Sequence, residues 1–310
     1  MTDVKLDFVR CPDAEGGHRM AYWQWGDPLS PHVVVCVHGL SRQGRDFDVL
    51  AQGLCETARQ QQRTIRVVCP DVVGRGESDW LKDPMGYQVA AYAGDMLALV
   101  AQLHARAPVE TLDWVGTSMG GLIGMVVCGS AASRPADARV PLVRRLVLND
   151  VGPTIEWQAI VRIGTYLGQA GHFVGVENAA DAMRAISSGF GPHTSAQWLA
   201  LSRPMLRPVN SDTESPLRLH YDPAIAGPFK LATEESTRQG EAILWQLYDQ
   251  ISAQTLLLRG ADSDLLSVET ARVMTERGPR ARLVEFEGVG HAPTIVAPDQ
   301  VETVTRFLLG

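Results

Sequence analysis

The chain has 310 residues, of which 45% are hydrophobic, enough for one large domain or for one domain with an insertion. No uninterrupted apolar stretch reaches about 18 residues, which argues against a membrane-spanning helix. The formal net charge is −7 and the sequence contains no basic block, which argues against a nucleic-acid partner.

Short apolar runs alternate along the chain with longer segments of helical period. A nearly continuous apolar and β-branched run at 32–39 is typical of a strand buried on both faces. The other predicted strands lie at 4–9, 18–26, 66–71, 111–116, 143–150, 255–260 and 281–288. The predicted helices lie near 47–54, 87–105, 121–127, 268–277 and 301–308. This alternation predicts a mostly parallel sheet with helices on both faces.

The interval 152–250 breaks this rhythm. Its apolar residues fall at helical spacing, and several prolines divide it into short segments. We expect a helical cap at 152–250, inserted between a first part of the core at 1–151 and a second part at 251–310. Large side chains in this cap indicate a mainly apolar acyl or alcohol site; they are Trp157, Met183, Phe190, Trp198 and Met205.

The segment Gly116-Thr117-Ser118-Met119-Gly120 lies between a predicted strand and a predicted helix. It has the G-x-S-x-G pattern of a nucleophile elbow, in which the serine occupies a strained turn. Small residues are needed two positions to either side because the strand and the helix come close together. The first amides of the new helix also point at the hydroxyl. We therefore interpret Ser118 as a nucleophile, whereas an ordinary β–α turn would use it as a helix cap.

A serine hydroxyl needs a base to remove its proton, and His291 is the best placed of the eight histidines. It follows the strand at 281–288 in a glycine-containing loop, which can carry the imidazole back over the edge of the sheet. His38 ends the strand at 32–39, where a role in holding the backbone is expected. The other histidines lie in segments without a partner motif.

Four segments together resemble the α/β-hydrolase superfamily. They are His38-Gly39-Leu40, the loop at 71–78, the turn at 116–121 and Gly290-His291. Each lies at the end of a predicted strand and in the order of that fold, and the resemblance extends from about residue 18 to the end of the chain. It implies a mostly parallel, eight-stranded α/β-hydrolase sheet with helices on both faces and a helical cap insertion.

The resemblance also implies roles for backbone groups. The amides of Met119 and Leu40 would form an oxyanion hole, which stabilises the negative oxygen of a tetrahedral intermediate. Asp71 and Arg75 resemble the structural loop of the family, in which the aspartate ties turns together, and no chemistry is assigned to them.

The acid that orients the imidazole has two possible positions in this fold. In most members of the family it lies three residues after the glycine that ends the strand equivalent to 255–260. Here that position is Ser263, with Asp262 and Asp264 on either side. Some small esterases of the fold have their acid in an Asp-x-x-Pro segment similar to the one that begins at Asp150. We favour Asp150, followed by Asp264 and then Asp262.

The sequence therefore predicts a serine hydrolase that cleaves a carboxylic ester, or a related acyl bond, through an acyl-enzyme intermediate. Its catalytic triad would be Ser118, His291 and Asp150. A carbon–carbon bond hydrolase or an enol-lactonase would use the same residues, and the fold also serves as a ligand receptor with little turnover. Arg42 and Arg45 are candidate contacts for a substrate carboxylate, although solvated surface arginines are the more common case.

The cysteines and the first residues bear on location. The five cysteines are an odd number, include no CxxC pair and lie mostly inside apolar runs. The first ten residues contain acids and lack the apolar segment of a signal peptide. We expect reduced thiols in a cytoplasmic protein. No metal or cofactor is implied, the expected partner is a small ester-like substrate, and the oligomeric state cannot be read from the sequence.

Overall fold

The computed structural model describes residues 4–133, 140–169, 171–210 and 215–310. Within these residues the strands are β1 (Lys5–Cys11), β2 (His18–Gly26), β3 (His32–Val37), β4 (Arg66–Pro70), β5 (Thr111–Thr117), β6 (Val143–Asn149), β7 (His172–Phe173), β8 (Leu206–Pro208), β9 (Leu217–Leu219), β10 (Gln254–Gly260) and β11 (Arg282–Phe286). The α-helices of the same residues are α1 (Asp48–Gln60), α2 (Val89–Arg106), α3 (Met119–Gly129), α4 (Trp157–Tyr166), α5 (Val176–Ile186), α6 (Ser195–Ser202), α7 (Ala226–Lys230), α8 (Glu234–Asp249), α9 (Val268–Glu276) and α10 (Pro298–Leu309).

The main sheet has eight strands in the order β1-β2-β4-β3-β5-β6-β10-β11. The pairs β1–β2 and β2–β4 are antiparallel, and the other five pairs are parallel. α2, α3 and α8 contribute to an apolar layer on one face that includes the buried Trp114. α1 and α10 pack together in the layer that includes Phe47. The predicted fold class, a mostly parallel eight-stranded sheet with helices on both faces, is confirmed.

Between β6 and β10 the chain leaves the alternation of strand and helix. This segment, residues 151–253, is here called the insert. It contains α4 to α8, as the helical spacing predicted, and also a small antiparallel sheet in the order β7-β9-β8. The sequence analysis did not predict these strands, because each has only two or three residues and is too short to show an alternating pattern. The last helix of the insert, α8, packs against α3.

None of the helices in the described part of the chain combines the length and the apolar character needed to span a membrane.

A buried histidine joins the β1–β2 hairpin to α2. His18 is hydrogen-bonded through Nδ1 to Asp13 at 2.9 Å and through Nε2 to Asp95 at 3.1 Å. Burial lowers the pKa of His18, but the hydrogen bonds and charges of Asp95 and Asp13 outweigh burial, and the net effect raises this pKa. When it is protonated, the ring can donate to both carboxylates, which is why they raise its pKa.

The raised pKa of His18 has a consequence for stability. Its contribution is fully present below the unfolded pKa of about 6.5 and is lost as the pH rises through the higher folded pKa. In His18→Gln, the deficit in the free energy of unfolding should be largest at about pH 5.5 and should shrink towards about pH 9. Urea denaturation at both pH values measures it, with the exposed His172→Gln as control. A deficit in His18→Gln that is equal at both pH values would contradict the prediction.

Candidate active site

Ser118 occupies the turn between β5 and α3 with a φ of 51°, in the left-handed region that residues with a side chain rarely adopt. Strand and helix come very close at this turn. A Cβ atom on Gly116 would lie 2.3 Å from the carbonyl oxygen of Gly120, and one on Gly120 would lie 2.0 Å from that of Val37. The backbone N–H of Ser118 donates to the carbonyl oxygen of Asn149 at 2.9 Å. A side chain would therefore not fit at either glycine of the pattern, and a backbone hydrogen bond joins the turn to β6.

Three of the predicted site residues form a continuous line of hydrogen bonds. Nε2 of His291 lies 3.0 Å from Oγ of Ser118, and Nδ1 of His291 lies 2.7 Å from Oδ2 of Asp150. A carboxylate at Nδ1 favours the tautomer that has its proton on Nδ1, so that Nε2 is left to accept from the hydroxyl. Ser118 and His291 are partly exposed, whereas Asp150 is fully buried. The arrangement is that of a base held in place between a buried acid and an accessible hydroxyl.

Asp150 is fixed by further contacts at the end of β6. Its backbone has a φ of 54°, and its N–H donates to the carbonyl oxygen of Leu258 at 2.8 Å. The side chain accepts from the backbone N–H of Gly260 at 2.9 Å and from the hydroxyl of Ser263 at 2.6 Å. Ser263 stands where the family resemblance places the acid of most members, and here it donates a hydrogen bond to the acid. Sequence reasoning noted the departure at Ser263 but missed this contact.

The alternative acids lie elsewhere. Asp264 has a side chain that is 50% exposed, and both its oxygens accept from Arg162 of α4, at 2.6 and 2.9 Å. Asp262 is exposed, and its backbone N–H donates to the carbonyl oxygen of Val289. Among the described residues, Asp150 is the carboxylate that is hydrogen-bonded to His291.

The two amides predicted for an oxyanion hole flank the serine. Met119 is the first residue of α3, so its N–H belongs to the first turn, whose amides have no carbonyl partner within the helix. Leu40 follows Gly39, and a Cβ atom on Gly39 would lie 3.7 Å from the Cβ of Ser118. The N–H of Arg42 donates to the carbonyl oxygen of Gly39 at 3.1 Å, and the turn closed by this hydrogen bond holds the segment in place. The segments that carry the two amides therefore lie next to Ser118.

His38 and Asp71 hold the neighbouring loops together. Burial lowers the pKa of His38 to about 3, so the ring is neutral. Its Nε2 accepts from the N–H of Val72 at 2.9 Å, which leaves Nδ1 to donate to the carbonyl oxygen of Gly39 at 2.7 Å. Asp71 accepts from the backbone N–H groups of Gly44 and Glu77, which lie in two other turns. It also accepts from the indole N–H of Trp23 on β2. These contacts agree with the structural roles expected for both residues.

A cavity of about 380 Å³ opens onto Ser118 and His291. Most of its wall is apolar and comes from the insert, including Ile163, Leu167, Met183, Phe190, Met205 and Leu219. Three of the five cap residues predicted to form an apolar site therefore line it. The other two, Trp157 and Trp198, are absent from the described lining, and Trp198 instead stacks on Phe190 with ring centroids 6.0 Å apart.

The two arginines proposed for a substrate carboxylate have different surroundings. Arg42 lines the cavity, forms two hydrogen bonds of 2.7 Å with Asp46 and donates to the carbonyl oxygen of Leu201 at 3.0 Å. Arg45 pairs with Asp48 and lies over the ring of Trp23, and it is not among the described residues of the cavity wall. Only Arg42 of this pair can meet a ligand in the cavity.

The described residues contain one group with the composition of a metal site. Cys11, His18 and Asp95 are buried, and their potential ligand atoms lie within 4.8 Å of one another. Both ring nitrogens of His18 are already hydrogen-bonded to Asp13 and Asp95, and none of these residues lines the cavity. This cluster does not test whether the reaction needs a metal, so the expectation that it needs none stays a prediction.

Comparisons with known proteins cover nearly the whole chain. Residues 34–304 match the profile of the Alpha/beta hydrolase family. The sequence is 46% identical over 306 residues to a 3-hydroxybutyrate-oligomer hydrolase of Cupriavidus necator, and the match covers 99% of this chain and 98% of that relative.

Solved structures are similar over the same extent. An alpha/beta hydrolase from Novosphingobium aromaticivorans superposes with a TM-score of 0.78 at 33% identity, covering 99% of both chains. A protein from Rickettsia typhi superposes with a TM-score of 0.80 at 24% identity, covering 99% of this chain and 98% of the other, which shows likeness of fold alone.

The choice between the candidate acids can be tested directly. Asp150→Asn should lower kcat by about 10⁴-fold, because the imidazole loses the carboxylate that favours its reactive tautomer. Asp264→Asn removes only an exposed ion pair and should change kcat by less than about threefold. Kinetics on a p-nitrophenyl ester measure both effects, with circular dichroism as the check of folding. Loss of activity in Asp264→Asn with activity retained in Asp150→Asn would contradict the assignment.

Proposed function

The chain belongs to the alpha/beta hydrolase family, and we propose that it is a serine hydrolase that cleaves short ester oligomers of 3-hydroxybutyrate. This membership confirms the predicted family, and together with the match to a 3-hydroxybutyrate-oligomer hydrolase it confirms the predicted class of enzyme, a hydrolase of carboxylic esters. The observation that carries the proposal is the line of hydrogen bonds from Asp150 through His291 to Ser118, which ends at the cavity. The relative from Cupriavidus necator supports the choice of substrate.

In the proposed first step, Oγ of Ser118 attacks the ester carbonyl and Nε2 of His291 takes the hydroxyl proton. Asp150 accepts from Nδ1–H throughout and stabilises the imidazolium that forms. The carbonyl oxygen becomes an oxyanion, to which the N–H groups of Leu40 and Met119 donate. Loss of one such donor costs about 3 kcal/mol of barrier.

In the following steps, the imidazolium of His291 gives its proton to the leaving alkoxide, and the carbon–oxygen bond of the ester breaks. The products are an acyl-enzyme on Ser118 and a shortened oligomer with a free hydroxyl. Water then attacks the acyl-enzyme with the same imidazole as base, and the acid is released.

The cavity suits an oligomer of this kind. Each internal unit is an uncharged ester with a methyl branch, which favours an apolar wall such as that formed by Ile163 and Met183. Arg42 and Arg162 line the cavity while paired with Asp46 and Asp264, and their further N–H groups suit the free carboxylate at one end of the oligomer. A ligand receptor with little turnover would not need the complete hydrogen-bonded line, so the geometry favours catalysis.

We also propose that residues 152–250 act as the cap of the site, because side chains of this segment supply most of the apolar wall. A cytoplasmic location is proposed as well. It is supported by Cys11, Cys36, Cys55 and Cys69, which are present as thiols rather than disulfides.

Ser118→Ala tests the proposed chemistry. Hydrolysis of 3-hydroxybutyrate dimers and trimers, followed by chromatography of the released acid, should fall by about 10⁶-fold to the background rate. The circular dichroism spectrum should not change, because the hydroxyl makes no contact on which the fold depends. A fluorophosphonate should label the wild type with one equivalent and leave Ser118→Ala unlabelled.

The outcomes separate the reaction from the substrate. Retained hydrolysis in Ser118→Ala would refute the assigned nucleophile. Hydrolysis of p-nitrophenyl esters by the wild type without release of 3-hydroxybutyrate from the oligomers would keep the nucleophile and refute the substrate.

A further inference from the structure

Arg75 is a charged residue in the core of the protein. It lies in the loop after β4, and its side chain is 0% exposed. Burial of a guanidinium is strongly unfavourable unless a carboxylate neutralises it or several acceptors solvate it. Within the described part of the chain its side-chain acceptors are neutral: two carbonyl oxygens, a hydroxyl and a thioether. Among these contacts no carboxylate pairs directly with the guanidinium; the buried Asp222 is one residue removed, as acceptor from the hydroxyl of Tyr87.

The guanidinium contacts both residues that supply the proposed oxyanion donors. Nε of Arg75 donates to the carbonyl oxygen of Leu40 at 2.8 Å. Nη2 lies 3.6 Å from Sδ of Met119. One planar group thus joins the loop after β3 to the first residue of α3, on either side of Ser118.

The remaining contacts hold the guanidinium in this position. Nη1 of Arg75 donates to the carbonyl oxygen of Val73 at 2.7 Å and to the hydroxyl of Tyr92 at 3.1 Å. The rings of Tyr87 and Tyr92 lie 5.7 and 5.1 Å from its central carbon, within the range of cation–π attraction. The charge is fixed before any substrate binds.

We infer that Arg75 is a positioning residue of the oxyanion hole, which aligns the Leu40 and Met119 segments and stabilises the developing oxyanion with its buried charge. The inference rests on the proposed function, since an oxyanion forms only if Ser118 attacks a carbonyl. Fixed charges near the site of developing negative charge lower the barrier without reorganisation cost, and they act strongly where water is excluded. The charge already influences this region, because it contributes, after burial, to the lowered pKa of His38.

Two substitutions separate charge from shape. Arg75→Met keeps a long side chain without charge, and Arg75→Lys keeps the charge without the planar fork. Arg75→Met should lower kcat by about 10- to 100-fold and change KM by less than about threefold, because the oxyanion exists only in the transition state and the intermediate. Arg75→Lys should recover part of the lost kcat.

Arg66→Met is the matched control. Arg66 is another buried arginine, on β4, with 1% exposure, and its Nη1 donates to the carbonyl oxygen of Pro28 at 2.8 Å. It does not line the cavity, so its removal tests the loss of a buried arginine as such. Its variant should retain the wild-type kcat.

A second readout responds to the charge and not to packing. A trifluoromethyl ketone labelled with carbon-13 at the carbonyl forms a hemiketal with Ser118, and the carbon-13 shift reports the ionisation of the hemiketal hydroxyl. In Arg75→Met the pKa of that hydroxyl should rise by about one pH unit, equivalent to a tenfold loss of oxyanion stabilisation. Arg75→Lys should return it towards the wild-type value, and Arg66→Met should leave it unchanged.

An unchanged kcat in Arg75→Met would overturn the inference. So would a lowered kcat with an unchanged hemiketal pKa, because that combination indicates a purely structural role. If Arg75→Met does not fold, Arg75→Gln is subjected to the same two measurements and the same criteria. Absence of both a Ser118 adduct and ester hydrolysis in the wild type would refute the proposed function itself, and is thus distinguishable from failure of the role of Arg75.

Discussion

The close approach of β3, β5 and α3 at Ser118 is the constraint on which the site depends. Strand and helix can meet there only because Gly116 and Gly120 have no side chain, and the positive φ of Ser118 then directs its hydroxyl away from the sheet. The same approach brings the segment after β3 beside the serine, and with it the amide of Leu40. A single backbone geometry therefore positions both the proposed nucleophile and the amides proposed to receive the negative charge.

The sequence was informative where burial leaves a periodic signal. β3 and β4 are buried along their whole length and appear in the sequence as short apolar runs, and the elbow was recognisable from the glycines around Ser118. The strands of the insert were not predicted, because a strand of two or three residues shows no alternation. Burial alone also does not show whether a large residue lines a cavity or supports one. Phe190 and Trp198 are neighbours in one stack, yet only the first lines the cavity.

The acid could not be decided from spacing for a reason that lies in the sheet. β6 and β10 are adjacent parallel strands, with Asn149 paired with Leu258, so their carboxyl ends lie side by side. An aspartate after either strand can therefore reach the same imidazole. The local environment distinguishes them: the carboxylate of Asp150 is buried and accepts three hydrogen bonds, whereas Asp264 is exposed and paired with Arg162. Such an environment depends on contacts between distant segments, which no local pattern reveals.

The core and the insert supply different groups to the site, but hydrogen bonds join the two parts. The main sheet and its loops supply the hydroxyl, the imidazole, the acid and the amides, while the insert supplies most of the apolar wall. The insert also contacts the loop of the imidazole, because the N–H of Gly290 donates to the carbonyl oxygen of Gly189 at 2.6 Å. Arg42 makes a second connection, from the segment after Leu40 to Leu201. A change in the insert can therefore alter the position of His291 and of the Leu40 segment as well as the shape of the cavity.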